Sequence, residues 1–98
     1  MNMQAMMKQA QQMQRDMLKV KEEIDNTKFV GESSLVKVTI NGTKMVESVE
    51  IDRSDLEVDD IEMLEDMIVV ALNDAMKQVD DTTEEKMGKF GGGMAGLF

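Results

Sequence analysis

The sequence contains no cysteine, histidine, tyrosine or tryptophan, and only three phenylalanines. Without an imidazole, Ser33, Ser34, Ser48 and Ser54 have nothing to activate them as nucleophiles. Without thiols there are no disulfides, no thiolate metal site and no redox switch, which fits a reducing compartment. Carboxylates are abundant, but their place is on helical faces, where solvation accounts for them. These absences argue against an enzyme and against a cofactor or small-molecule substrate. No aromatic ring interleaves with the basic residues, so a stacking surface for single-stranded nucleic acid is not supported. The glycine-rich stretch at 89–98 opens no helix and is not a phosphate loop. The strongest apolar run covers about ten residues, too short to cross a bilayer. No charged region precedes an apolar block at the N-terminus, as a secretory signal would require. The expected location is the cytoplasm.

The chain of 98 residues makes one domain, whose size favours help from a second subunit. The formal charge is −9, and it is unevenly spread. Residues 1–26 carry four cations against four acids, and residues 27–53 do the same. Residues 54–98 carry three lysines against twelve acids. An acidic balance disfavours phosphate-rich partners, so only the N-terminal segment offers a locally positive face.

The chain is organised around residues 62–76. Ile61, Leu64, Ile68, Ala71, Leu72, Ala75, Met76 and Val79 recur at helical spacing. Met67, Val69 and Val70 fill the gaps, so this helix needs cover on more than one side. Near the N-terminus, Met3, Met6, Ala10, Met13, Met17, Val20 and Ile24 form a heptad seam, which predicts a helix packed along a partner helix. Methionine suits an adaptable interface, and with no cysteine or histidine beside it a packing role outweighs a Cu(I) site. The opposite face carries Gln4, Lys8, Gln11, Gln12, Arg15, Lys19 and Glu22. Two readings fit that face: a solvated strip, or a strip that touches phosphates with help from glutamines and the Met1 amine.

Between the helices, Phe29-Val30 predicts a short strand and residues 31–34 a turn. Val36, Val38 and Ile40 alternate, Asn41-Gly42 signals a tight hairpin, and 44–51 returns. The apolar phase slips between Val46 and Val49, which predicts a bulge near Glu47-Ser48. Open strand edges invite pairing across a dimer. Ser54-Asp55-Leu56-Glu57 has the form of a capping box, and Asp59-Asp60-Ile61-Glu62 repeats it before the central helix. Asp52, Asp55, Glu57, Asp59 and Asp60 lack the glycine and ligand order of a calcium loop, so capping rather than metal binding is expected. Residues 80–87 have little apolar surface and are expected to project into solvent, with Gly88 as the stop and 89–98 a flexible tail.

The order of these parts resembles the YbaB/EbfC family of bacterial nucleoid-associated proteins. The matching pieces are Met6-Met7-Lys8-Gln9-Ala10-Gln11, Leu35-Val36-Lys37-Val38-Thr39-Ile40-Asn41-Gly42, Ala71-Leu72-Asn73-Asp74-Ala75 and Glu85-Lys86-Met87-Gly88, in one continuous order. The resemblance implies an α+β fold: a helix over 1–26, a small antiparallel sheet over 28–52 and a central helix over 59–87. It implies a single domain over 1–88 and a tweezer-like homodimer. It also implies double-stranded DNA as partner, with little sequence preference, and a nucleoid location. Carried onto this chain, it places DNA contacts at Lys8, Arg15 and Lys19, with Lys21 and Lys86 as weaker candidates. The other reading is an acidic, dimeric protein-interaction module that uses the methionine-rich helix or residues 90–98 and binds little or no DNA.

Overall fold

The structure, a computed structural model, describes residues 2–54 and 57–90. The expected role of the Met1 amine, the Asp55-Leu56 centre of the first capping box and the tail beyond residue 90 lie outside the described residues. Helix α1 (Met3–Asp25) leads into three antiparallel strands, β1 (Lys28–Ser33), β2 (Val36–Asn41) and β3 (Val46–Ile51). A 3-10 turn (Val58–Asp60) then enters the long helix α2 (Ile61–Met87), and a second 3-10 turn (Gly88–Phe90) follows it. The sheet order is β1-β2-β3. The architecture is the expected α+β arrangement of helix, small sheet and helix.

Each element has a local cause. Helix α1 begins at Asn2, whose side chain accepts from the Gln4 N–H at 3.0 Å. It ends where Asn26 Nδ2 donates to the Glu22 carbonyl and Thr27 Oγ1 to the Glu23 carbonyl, satisfying groups the last turn leaves open. Strand β1 runs through Gly31 to Ser33, so the turn expected at 31–34 falls later, at Ser34-Leu35, with Ser34 in the left-handed region at φ 49°. The β2–β3 connection is not the two-residue Asn-Gly turn the sequence predicts. The Asn41 side chain accepts from the Thr43 and Met45 N–H groups, and Lys44, at φ 66°, takes the left-handed position. Gly42 serves close approach instead: its N–H donates to the Asp25 carbonyl, and an added Cβ would overlap the Ile24 carbonyl. The bulge is where the phase slip predicts it. Thr39 pairs with Ser48 and Ile40 with Val46, leaving Glu47 as the extra residue.

The acidic segment before α2 works differently from its pattern. Ser54 donates from N and Oγ to Asp52 Oδ1, which holds the Asp52 carboxyl below its usual range. Asp60 does not cap α2. Its carboxylate accepts from the Glu57 N–H and closes the 3-10 turn instead.

The core lies between α2 and the inner face of β1 and β2. Phe29, Val36, Val38 and Ile40 meet Ala71, Ala75 and Val79, all buried. Gly31 sits directly under α2, where a Cβ would strike the Ala71 carbonyl and the Ala75 nitrogen. Two polar ties lock the register: Gln78 Nε2 donates to the Val30 carbonyl at 2.7 Å, and the Glu32 N–H to Asp74 Oδ2 at 3.4 Å. The expected solvent projection of 80–87 does not occur as such. Met87 is buried and Phe90 packs on the same core as Met17 and Val20, so the last turns of α2 and the second half of α1 cover one another. Helix α2 ends at Met87 with Gly88 as its C-cap, the expected stop, although Gly88 keeps right-handed angles (φ −59°, ψ −28°) and opens the second 3-10 turn.

The protomer measures 71 × 19 × 14 Å with a radius of gyration of 19.1 Å, against about 13 Å for a compact domain of this length. Gly31→Ala is expected to destabilise the fold by about 1–3 kcal/mol, because backbone rather than a yielding side chain opposes the new methyl. Urea unfolding at one fixed protein concentration measures it.

Candidate nucleic-acid interface

Helix α1 is anchored at one end only. Residues 3–16 are all exposed, whereas Met17 and Val20 are half-buried and Ile24 is buried. The free half remains helical for two reasons. Its methionines, glutamines, alanines and lysine are good helix formers, and it extends an already nucleated helix, so it escapes the cost of starting one. The result is an arm that stands clear of the sheet.

Lys8, Arg15 and Lys19 lie on one side of that arm. Steps of seven and four residues keep them within about 40° of one another around the helix. They span about 16 Å along its axis, on the rise of 1.5 Å per residue. All three are exposed, and none forms an ion pair among the described residues. The only acid in the first five turns is Asp16, whose carboxylate accepts from Gln12 Nε2 at 3.0 Å. The arm is therefore locally positive although the chain is acidic.

Lys21 stands apart. It lies near the seam side of α1, half-buried, with Nζ 3.0 Å from Asp25 Oδ2. Lys86 is exposed on the last turn of α2, the segment that packs beside α1. The structure thus sets Lys8, Arg15 and Lys19 on one side of α1, leaves Lys21 on another face of it and carries Lys86 on a second helix. Lys89 was not anticipated. It sits in the 3-10 turn after α2 with its Nζ 5.1 Å from the Phe90 ring centroid, and the Lys-Phe pair after Gly88 was the available signal.

The acids of α2 oppose this charge in part. The helix carries two lysines against eight acids. Among the described residues two of those acids are paired with cations: Asp80 with Lys44 at 2.8 Å and Asp81 with Lys77 at 2.7 Å. The Asp81 hydrogen bond and charge hold the Lys77 ammonium above its ordinary pKa. Among the described residues no group of three or more histidine, cysteine, aspartate or glutamate side chains is placed to hold a metal ion.

A second feature belongs to the same surface question. Val46, Val49 and Ile51 pair with Ile40, Val38 and Val36, so they share the inner face of the sheet. Helix α2 covers β1 and β2 but does not extend over β3, and Val46 and Val49 remain 44% and 46% exposed. On α2 itself Ile61, Met63, Val69 and Val70 are exposed as well.

The chain is similar to known proteins along nearly its whole length. The model of the YbaB/EbfC DNA-binding family matches residues 1–94. Nucleoid-associated proteins from Lactococcus lactis subsp. cremoris and subsp. lactis are each 46% identical over 96 residues, covering 96% of this chain and 97% of theirs. The crystal structure of an uncharacterized protein from Helicobacter pylori superposes with a TM-score of 0.73 at 22% identity. That match covers 91% of this chain and 96% of the other, and it speaks for the fold.

Asp81→Asn is expected to lower the Lys77 titration midpoint toward its ordinary value of 10.5, as followed by NMR. The raised value means that the pair's contribution is complete below 10.5 and is lost as pH rises through the folded-state pKa.

Proposed function

The chain belongs to the YbaB/EbfC DNA-binding family, and from that membership we propose that it is a nucleoid-associated protein that binds duplex DNA as a homodimer in the bacterial cytoplasm. The observation that carries this reading is the stripe of Lys8, Arg15 and Lys19 along α1, exposed and without ion pairs among the described residues. Cations on a projecting helix can follow a phosphate backbone, and phosphate contacts position a protein without reading sequence. Little sequence preference follows. Lys86, with Lys89 beside it, extends the positive surface onto the end of α2, and Lys21 is a peripheral contact at most. Glu84 and Glu85 stand near that surface and weaken the attraction. The family is one of DNA-binding proteins, not of enzymes.

The homodimer rests on a different observation. Val46, Val49, Val69 and Val70 are apolar, exposed and part of the sheet and helix that form the core. A second protomer laid on β3 and the outer side of α2 covers them and fills out the extended shape. The two α1 arms then project as the limbs of a tweezer.

The methionines of the arm favour a second reading. Met3, Met6, Met7 and Met13 are all exposed, and such a surface suits a protein partner. The two readings separate in a titration of the purified protein onto a fluorescent duplex of mixed sequence at several salt concentrations. The DNA reading expects the logarithm of the affinity to fall with that of salt, with a slope of about −3 for one three-cation arm and about −5 for two. Lys8→Gln should make that slope shallower by about one if one arm binds and by about two if both do. Lys8→Glu, Arg15→Glu and Lys19→Glu together should abolish binding while circular dichroism stays unchanged. Salt-independent binding, or none at low salt by the folded protein, would transfer the assignment to the interaction module.

A further inference from the structure

The apolar seam of α1 runs in one unbroken heptad phase, but only its second half is covered. Met17, Val20 and Ile24 pack into the core. Met3 is 75% exposed, Met6 52% and Met13 49%, and Ala10 is exposed between them. A seam that packs against a helix along one half, and keeps its phase along the other, has the surface for a second helix.

We propose that the free half of α1 pairs antiparallel with the same segment of a second copy of this chain. Three features select that occupant. The first is self-complementarity. The seam is nearly palindromic about Ala10, with Met6 and Met13 on either side and Met3 and Met17 beyond them. An antiparallel partner centred on Ala10 sets Met6 against Met13 of the second copy, both on the exposed half of the seam. The second is size. Alanine at the crossing point lets two helix backbones approach closely, while the flexible methionines fill the space on either side. The third is charge. Lys8 is the only charged side chain in residues 2–14, and it points away from the seam. A like copy meets no repulsion there, whereas a charged partner finds no complement.

The contact is small. Two helix segments of this length bury less than the roughly 1,200 Å² of a stable interface. It therefore joins copies that are already concentrated, where effective concentration replaces area. It also leaves the stripe of Lys8, Arg15 and Lys19 free, because that stripe lies on the opposite face.

Cross-linking tests the proposal on the full chain. The protein has no cysteine, so Ala10→Cys introduces a unique thiol on the seam. Gln12→Cys, two residues on, places one about 160° round the helix. With a short bis-maleimide, covalent chain pairs should form about tenfold faster in A10C than in Q12C, a factor equivalent to about 1.4 kcal/mol of association. Adding Met6→Glu to A10C should remove that excess while circular dichroism still reports an intact helix. In an equal mixture of M6C and M13C proteins, the mixed product should dominate. Equal rates in A10C and Q12C, or an excess that survives Met6→Glu, would overturn the pairing. Products of like with like in the M6C and M13C mixture would overturn its antiparallel sense.

Discussion

The structure depends on how closely α2 can approach the sheet. That distance is set at Gly31, where β1 has no side chain, and at Ala71 and Ala75, where α2 presents its smallest apolar residues. Backbone meets backbone there. Phe29, Val36, Val38 and Ile40 then reach α2 from both sides of the contact instead of holding it away. The polar ties from Gln78 to Val30 and from Asp74 to Glu32 form only at this separation. With the close approach in place, the last turns of α2 are directed toward α1, and Met87 becomes the lid of the core. Interiors packed at this density tolerate little added volume.

That single-sided packing divides the molecule by charge and by polarity. One face of the sheet and one side of α2 satisfy each other, and β3 is left outside with its valines exposed. The acid is concentrated on α2 and the 3-10 turn before it, where it serves solvation, ion pairs and, at Asp60, the turn itself. Lys8, Arg15 and Lys19, which form no ion pair among the described residues, are on α1, the first two on its half that stands clear of α2. Net charge would have described this chain as hostile to phosphate. The local field of a projecting helix is a different quantity, because exposed charges further apart than about a Debye length are largely screened from each other.

Much of this was legible in the sequence, and the reasons are local. The heptad seam, the central apolar helix and the slip of phase at Glu47 are periodic signals, and periodicity survives folding. The grouping of Lys8, Arg15 and Lys19 was legible for the same reason, since helix geometry alone puts them on one face. What escaped depended on tertiary contact. Asn41-Gly42 reads as a tight turn, but Gly42 is there to let the Ile24 carbonyl come close. Ser54 reads as a cap, but Asp52 captures it first. Gly88 reads as a stop and does cap α2, but the 3-10 turn after it, which lays Phe90 back on the core, has no local signal. Lys21 reads like its neighbours until its hydrogen bonds to Asp25 and its place near the seam are seen.

The loop after β2 is a mount as well as a turn. It holds the end of α1 through the hydrogen bond from Gly42 to Asp25, and it holds α2 through the ion pair from Lys44 to Asp80. Helix α1 is about 35 Å long on a rise of 1.5 Å per residue, so the loop acts as the fulcrum of a long lever. A tilt of about 5° at that point sweeps the far tip through about 3 Å, roughly the rise of one base pair. The position of the arm's tip is thus set at the sheet, a full helix length away from it.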